Sequence, residues 1–321
     1  MDHIAALLLG IGNGGVYAAM ALALVLTYRS SGVLNFATGA IALNAAYTYA
    51  GLRDGHLIVL IPGLPTSVDM GGPLGFWPAV LITLLIQAVL GAVIYLLVFR
   101  PLRTAPPLAQ AVASLGVLIL IQELMAMRQG VAAVAVAPIF PVERWEWGDL
   151  IVLSDRFYMA LSVVGLTLVL WAFFRYTRFG LLTRATADSQ TGAFVTGVSP
   201  SRVALFNWMI SAVVAGIAGI LIAPISPLTP VTYTLFVVPA LAAALVGGFQ
   251  HLLPTLLAGL AIGMLQSEAL TQAAAHTWLP QSGSAELVVL IVIIVTLLIT
   301  GKAMPVRGGL GQGLRLEHAD R

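Results

Sequence analysis

The chain has 321 residues, of which 60% are hydrophobic and 9% are charged, and its mean hydropathy is +1.00. Soluble globular proteins carry roughly 25% charged residues, so most of this protein must face lipid rather than water. The absence of cysteine excludes disulfides, thiolate metal sites and thiol catalysis. The formal net charge of +2 comes from scattered arginines, and they do not form the basic run that nucleic-acid binding requires.

Nine apolar stretches are long enough, or nearly so, to cross a hydrocarbon core of ~30 Å as helices. They cover residues 4–28, 33–52, 76–99, 108–127, 157–174, 203–223, 231–249, 255–271 and 286–300. The pattern predicts an all-α fold, a polytopic transmembrane helical bundle of about 8–10 spans. The second and seventh stretches contain Asn35, Asn44 and Pro239, so we expect one or both to be broken or re-entrant.

The positions of the cations predict the orientation of the bundle. With nine spans and the C-terminus in the cytoplasm, eleven cations lie inside and four outside, in agreement with the usual excess of cytoplasmic Lys and Arg. The inner cations are Arg29, Arg100, Arg103, Arg175, Arg178, Arg184, Arg202, Lys302, Arg307, Arg315 and Arg321, and the outer ones are Arg53, Arg128, Arg144 and Arg156. The N-terminus is then outside, residues 1–301 form the transmembrane domain, and residues 302–321 form a short cytoplasmic tail.

The longest polar stretch on the predicted cytoplasmic side covers residues 175–202. Thr183 is a candidate N-cap, Gly197 ends the segment, and Pro200 begins the next span. These signals predict a short amphipathic helix at about residues 180–200. Such a helix suits the docking of a cytoplasmic partner, and it equally suits an interfacial helix that rests on lipid headgroups.

Small residues predict where helices meet. Gly10 and Gly14 are four residues apart, as are Gly259 and Gly263. Such pairs let two backbones approach closely, which replaces the hydrophobic drive that lipid cannot supply. We therefore expect close helix contacts at both pairs.

Polar side chains inside the apolar stretches are the candidate functional residues. A charge in hydrocarbon costs at least ~2.5 kcal/mol, so Glu123 and Glu268 must face protein, water or the membrane boundary. A pore-lip or helix-packing role fits both better than buried proton transfer. Among the neutral residues Asn35, Thr38, Asn44 and Ser114, interhelical hydrogen bonding and the lining of a water-filled path are the two alternatives.

The sequence carries no signal for an enzyme or for a nucleotide site. It lacks the G-x-x-x-x-G-K-[ST] loop that cradles phosphates, the H-E-x-x-H zinc motif and the G-x-S-x-G nucleophile turn. We therefore assign no catalytic residue, no metal ligand and no cofactor.

Four regions, in order along most of the chain, resemble one protein family. They are GNGGVYAAMALALVLTYRSSGVLNFATG (residues 12–39), RPLR with SLG (100–103 and 114–116), RATADSQTGAFVTGV (184–198), and AAALVGGFQHLLP (242–254), which is followed by Glu268. These motifs are similar to those of the permease subunits of branched-chain amino acid ABC importers.

The chain departs from the family pattern at a few positions. Thr38 stands where the family usually has His, Thr191 and Gly192 replace the Glu and Ala of the coupling motif, and Gln250 and His251 replace Gly-Ser. Related importers carry urea, short amides or small carboxylates. The solute class therefore stays open between these and branched-chain or other hydrophobic amino acids.

The resemblance implies a non-catalytic permease subunit of an ATP-driven, binding-protein-dependent importer in the bacterial cytoplasmic membrane. The expected partners are a second permease subunit, identical or homologous, two cytoplasmic ATPase subunits, an external solute-binding protein and membrane lipid, but no nucleic acid. The residues expected to couple to the ATPase are Arg184, Asp188, Thr191, Ala193, Gly197 and Arg202. The residues expected along the translocation path are Asn35, Thr38, Asn44, Ser114, Glu123 and Glu268.

Two other classes stay open. A secondary transporter driven by an ion gradient would use Glu123 and Glu268 as coupling groups. A structural subunit of a larger membrane enzyme is the third class.

Overall fold

The computed structural model describes residues 2–130, 132–147, 150–275 and 283–300, and over these ranges the chain forms helices and two small hairpins. The helices are α1 (Asp2–Leu9), α2 (Ile11–Ser31), α3 (Thr38–Arg53), α4 (Phe76–Ile94), α5 (Pro107–Gln129), α6 (Ser154–Tyr176), α7 (Arg178–Asp188), α8 (Gln190–Val195), α9 (Pro200–Ile222), α10 (Pro230–Leu235), α11 (Val237–Val246), α12 (Leu252–Ala275) and α13 (Ser284–Thr300). A π-helical turn (Tyr95–Phe99) extends α4, and a 3₁₀ turn (Pro101–Thr104) follows it. The predicted tail at residues 302–321 lies outside the described residues.

The predicted all-α bundle is confirmed. Within the described residues, six helices are long and apolar enough to cross a membrane: α2, α4 with its π-helical turn, α5, α6, α9 and α12. The other three predicted stretches also form helices, but shorter ones, in α3, in α10 with α11, and in α13. Their crossing of the membrane stays a prediction.

Helix α2 lies at the centre of the bundle. It packs against α6, α9, α11 and α12, and its residues are buried on every face from Val16 to Thr27. Burial on every face suits a helix that is apolar all round. Helices α4, α5, α6 and α13 lie outside it and expose apolar side chains, for example Leu85 on α4 and Val169 on α6, as expected for surfaces in contact with lipid.

The predicted glycine contacts bring α2 and α12 together. A Cβ atom on Gly263 would lie 2.2 Å from the Gly14 nitrogen, and one on Gly10 would lie 2.3 Å from the Gly263 carbonyl oxygen. Neither distance is compatible with a side chain. The two helices therefore touch backbone to backbone, as small-residue pairs allow in membranes.

Both stretches that were expected to be broken are broken. After the left-handed Gly32 (φ 73°) at the end of α2, residues 33–37 are not helical and α3 begins only at Thr38. In the seventh stretch, α10 ends at Leu235 and α11 begins at Val237. Pro239 explains this second break, because it has no N–H to donate to the Leu235 carbonyl and its ring displaces that carbonyl.

Two antiparallel hairpins lie at one end of the bundle. Strand β1 (His56–Ile58) pairs with β2 (Ser67–Asp69) and β3 (Arg144–Trp147) with β4 (Leu150–Leu153). Arg53 donates to the Leu74 carbonyl at 2.9 Å, and Arg128 donates to the Leu64 carbonyl at 3.0 Å. These cations of the predicted outer set thus hold the loop between α3 and α4.

Candidate functional site

The polar segment between α6 and α9 folds as two short helices rather than one. The Thr177 hydroxyl caps α7 by accepting a hydrogen bond from the Gly180 amide at 3.2 Å. The prediction of Thr183 as the N-cap is wrong, because Thr183 lies inside α7 and is buried. Ser189 separates the two helices, and its hydroxyl caps α8 by accepting from the Gly192 amide at 3.0 Å.

Helix α7 packs against α2, α6 and α9, and its contacts with α6 and α9 are specific. The Asn207 side chain on α9 donates to the Thr183 hydroxyl at 3.1 Å, and both residues are fully buried. A Cβ atom on Gly180 would lie 2.0 Å from the Phe174 carbonyl oxygen, so the backbones of α6 and α7 are in direct contact. A displacement of α7 must therefore displace α6 and α9 as well.

Helix α8 ends in a Schellman motif at Gly197. The Val198 amide donates to the Ala193 carbonyl and the Gly197 amide to the Phe194 carbonyl, each at 3.0 Å, and Gly197 has a φ of 83°. Gly197 therefore ends the segment, as predicted. Among the predicted coupling residues, Ala193 is buried, whereas Thr191 and Arg202 are exposed.

The end of α8 exposes two apolar side chains, Phe194 and Val195. Phe194 is 72% exposed and Val195 is 81% exposed, beside the buried Ala193. Their sequence signal was weak, because an apolar pair in a short segment is equally typical of packing. A rigid helical element that presents apolar side chains next to polar Thr191 can bind another protein.

The broken segment before α3 is held by side chains predicted to lie on a path. The Ser114 hydroxyl on α5 accepts from the Phe36 amide at 3.2 Å. Its hydrogen is within reach of two carbonyls, that of Leu34 at 3.1 Å and that of Ala111 in α5 at 2.8 Å. Thr38 donates to the Asn35 carbonyl at 2.7 Å, and the Asn35 side-chain oxygen accepts from the Ala37 amide at 3.2 Å. The structure thus brings Asn35, Thr38 and Ser114 together around backbone N–H and C=O groups of the break, which lie outside any helix.

Asn44, also predicted to lie on the path, belongs to a different polar contact. Its side chain donates to the side-chain oxygen of Gln87 on α4 at 3.1 Å, and both residues are buried. Gln87 was missed at the sequence level. Its signal was available, because Gln87 is the most polar residue of the apolar stretch 76–99.

The two carboxylates have different surroundings. Glu268 on α12 accepts hydrogen bonds from His3 at 2.5 Å and from Gln272 at 2.8 Å, which ties α1 to α12. Glu123 is exposed on α5, in line with the exposed apolar residues Ile119 and Met127. The surroundings of Glu268 agree with a helix-packing role. In a membrane, the face of α5 that carries the Glu123 carboxylate must be covered by protein or water.

Removal of the Ser114 hydroxyl is expected to destabilise the bundle. Ser114→Ala leaves the partly buried Phe36 amide without its acceptor, which costs ~1–3 kcal/mol of unfolding free energy. Ser211→Ala is the control, because that buried hydroxyl only adds a bond, at 2.8 Å, to the Ala23 carbonyl within α2. Thermal unfolding of the detergent-solubilised chain measures both variants. Equal midpoints for the two would contradict the role assigned to Ser114.

The fold combines long apolar helices around a buried central helix with an internal polar break before α3 and the capped α7–α8 element. These features define a polytopic membrane protein of the transporter class. Residues 6–300 match the family described as "Branched-chain amino acid transport system / permease component". The chain belongs to this family of transport permeases.

Three curated relatives carry corresponding names. The LivH "High-affinity branched-chain amino acid transport system permease protein" of Escherichia coli K12 is 24% identical over 308 residues, which cover 91% of this chain and 94% of the relative. The "Probable branched-chain amino acid transport permease protein LivH" of Methanocaldococcus jannaschii is 27% identical over 257 residues (77% and 75%). The BraD permease of Pseudomonas aeruginosa is 22% identical over 268 residues (80% and 83%).

One solved structure also aligns with the chain. It is described as "PsaBC from Streptococcus pneumoniae in complex with Fab", and the alignment covers 97% of this chain and 94% of the other, at 15% identity and a TM-score of 0.46.

Proposed function

We propose that this permease is the non-catalytic membrane subunit of an ATP-driven importer of branched-chain or other small hydrophobic amino acids. One observation carries the proposal: the protruding α8, with its exposed Phe194 and Val195, continues from an α7 that is attached to buried α9 through Thr183 and Asn207. This arrangement can transmit a force applied from outside the bundle. The names of the relatives support the solute class.

The same proposal assigns the partners. Two cytoplasmic ATPase subunits dock on the α7–α8 elements of two permease subunits, and Arg184, Asp188, Thr191, Ala193, Gly197 and Arg202 shape or flank the docking element. A solute-binding protein docks at the opposite end, where the two hairpins lie. The N-terminus is then outside the cell and the α7–α8 end is cytoplasmic, consistent with Arg175, Arg178 and Arg184 at that end.

The mechanism follows from this attachment. Closure of the ATPase dimer displaces α7 and α8, and the buried contacts of α7 carry the displacement to α6 and α9. Alternating access results when these helices rock relative to α2 and α12, whose glycine contact resists bending. The polar break at Asn35 and Thr38 lies beside α5 and forms part of the path at the interface between two permease subunits.

Thr183→Val tests the proposal directly. The change keeps the size of the side chain but removes the acceptor of the Asn207 hydrogen bond, a buried contact of about 1 kcal/mol. We expect ATP-driven leucine uptake in proteoliposomes that contain the full complex to fall, while ATP hydrolysis continues.

Thr186→Val is the matched control. Thr186 lies one turn of α7 away and is also buried, but its hydroxyl donates only to the Leu182 and Thr183 carbonyls of its own helix. We expect its uptake to equal that of the wild type. Wild-type uptake by Thr183→Val would contradict transmission through α7, and uptake that needs an ion gradient but no ATP would contradict the importer.

A further inference from the structure

A basic cavity lies at the end of the bundle opposite the hairpins. Its volume is about 470 Å³, within the roughly 300–1,000 Å³ typical of small-molecule sites. The walls come from the ends of α2, α6 and α7 and from residues 250–254, where α12 begins. The cavity is therefore formed by elements that are far apart in sequence.

Three arginines face this cavity. They are Arg29 from α2, Arg175 from α6 and Arg184 from α7, and the titratable side chains beside them are those of Asp188 and His251. The Arg29 guanidinium lies over the Phe174 ring, 5.6 Å from its centroid, which holds the cation in place. With three guanidinium groups against one carboxylate, the cavity has a net positive charge at neutral pH.

The start of α12 adds to this field. Leu252, Leu253 and Pro254 line the cavity and form the first turn of a 24-residue helix. The backbone N–H groups of Leu252 and Leu253 have no acceptor within the helix, Pro254 has no N–H, and the helix dipole is positive at this end. Both contributions favour an anion in the cavity.

Part of the remaining lining is aromatic. Trp171 and Phe174 form one wall, and Trp171 continues into the exposed apolar face of α6 at Leu168 and Val169. Tryptophan is enriched at the headgroup level of membranes. An anion bound here has an apolar helix face beside it, along which acyl chains can lie.

We propose that this cavity binds the phosphodiester headgroup of an anionic phospholipid. Basic pockets between membrane helices on the cytoplasmic side bind such headgroups through Arg and phosphate. The guanidinium groups of Arg175 and Arg184 and the first-turn amides of α12 hold the phosphate, and the acyl chains lie along α6. Because Arg184 and Asp188 belong to α7, the bound lipid sets the position of the helix on which the proposed ATPase docking depends.

Lipid retention by the full chain, purified without the other subunits, tests the proposal independently of transport. The chain is loaded with phosphatidylglycerol in mixed micelles with excess phosphatidylcholine, and the bound lipid is measured by native mass spectrometry. An arginine near a membrane surface contributes about fivefold to the binding of an anionic lipid. We expect Arg175→Gln and Arg184→Gln each to lower phosphatidylglycerol retention by about this factor.

Two further variants keep the result interpretable. Arg103→Gln removes an exposed cation that does not line the cavity, and retention should equal that of the wild type. Asp188→Asn removes the carboxylate from the cavity and should raise retention, which a misfolded variant cannot do. Equal losses for Arg103→Gln and Arg175→Gln, or no change with any variant, would overturn the proposal. Displacement of the lipid by millimolar inorganic phosphate would identify a free-anion site and overturn the lipid assignment.

Discussion

Gly197→Val is expected to abolish most ATP-driven uptake while the complex still assembles and hydrolyses ATP. Gly197 has a φ of 83°, and an added Cβ atom would meet nothing within 4 Å. The substitution therefore acts through the backbone alone, and a β-branched residue is strongly disfavoured at positive φ. Strain of about 1–2 kcal/mol shifts the equilibrium between the helical and the unwound end of α8 by a factor of about 5–30. Such a shift is enough to displace Phe194.

Gly197→Asn separates this effect from the loss of glycine itself. Asparagine tolerates the left-handed region better than other side chains, so we expect uptake close to that of the wild type. Uptake and ATP hydrolysis are measured in the same proteoliposomes, and their ratio reports coupling. If Gly197→Val keeps the wild-type ratio, the end of α8 is not the coupling element.

The breaks in the helices could be predicted because their causes are local. Pro239 acts on the carbonyl four residues before it. Gly32, which the prediction did not name, permits the left-handed turn that ends α2. The C-terminal end of α8 and the start of α9 were also predictable from Gly197 and Pro200. Each of these signals depends on neighbouring residues only.

The start of α7 was predicted wrongly because two threonines compete for the cap. Both Thr177 and Thr183 precede a helical stretch, and the sequence favours neither. The structure uses Thr177 as the cap, and Thr183 lies inside α7, where it accepts a hydrogen bond from Asn207 on α9. This tertiary hydrogen bond joins residues 24 positions apart, and no pattern within the segment encodes it.

The candidate path was predicted residue by residue but not as an arrangement. Asn35, Thr38 and Ser114 were recognised as polar residues in apolar surroundings, yet their joint role around the break depends on the packing of α5 against α3. The bond between Glu268 and His3 likewise joins residues at opposite ends of the chain. Polarity can be read from one sequence, whereas the partner of each polar group cannot.

Gly263→Ala is expected to destabilise the bundle strongly. Its Cβ atom would lie 2.2 Å from the Gly14 nitrogen and 2.7 Å from the Gly10 carbonyl oxygen. Backbone atoms cannot rotate away, so α2 and α12 must separate along their whole contact. Overpacking of this kind costs ~1–3 kcal/mol or more, and here it affects the central helix, against which α6, α9, α11 and α12 pack.

Gly165→Ala makes the same chemical change where the structure leaves space. Gly165 lies in α6, is exposed, and has nothing within 4 Å of an added Cβ atom. Alanine forms helices better than glycine by about 1 kcal/mol, so this variant should be as stable as the wild type or more so. Intrinsic tryptophan fluorescence during heating in detergent measures both midpoints. Equal unfolding midpoints for Gly263→Ala and Gly165→Ala would show that α2 and α12 do not touch backbone to backbone. Without that contact, the proposed mechanism would lose the rigid centre about which the other helices rock.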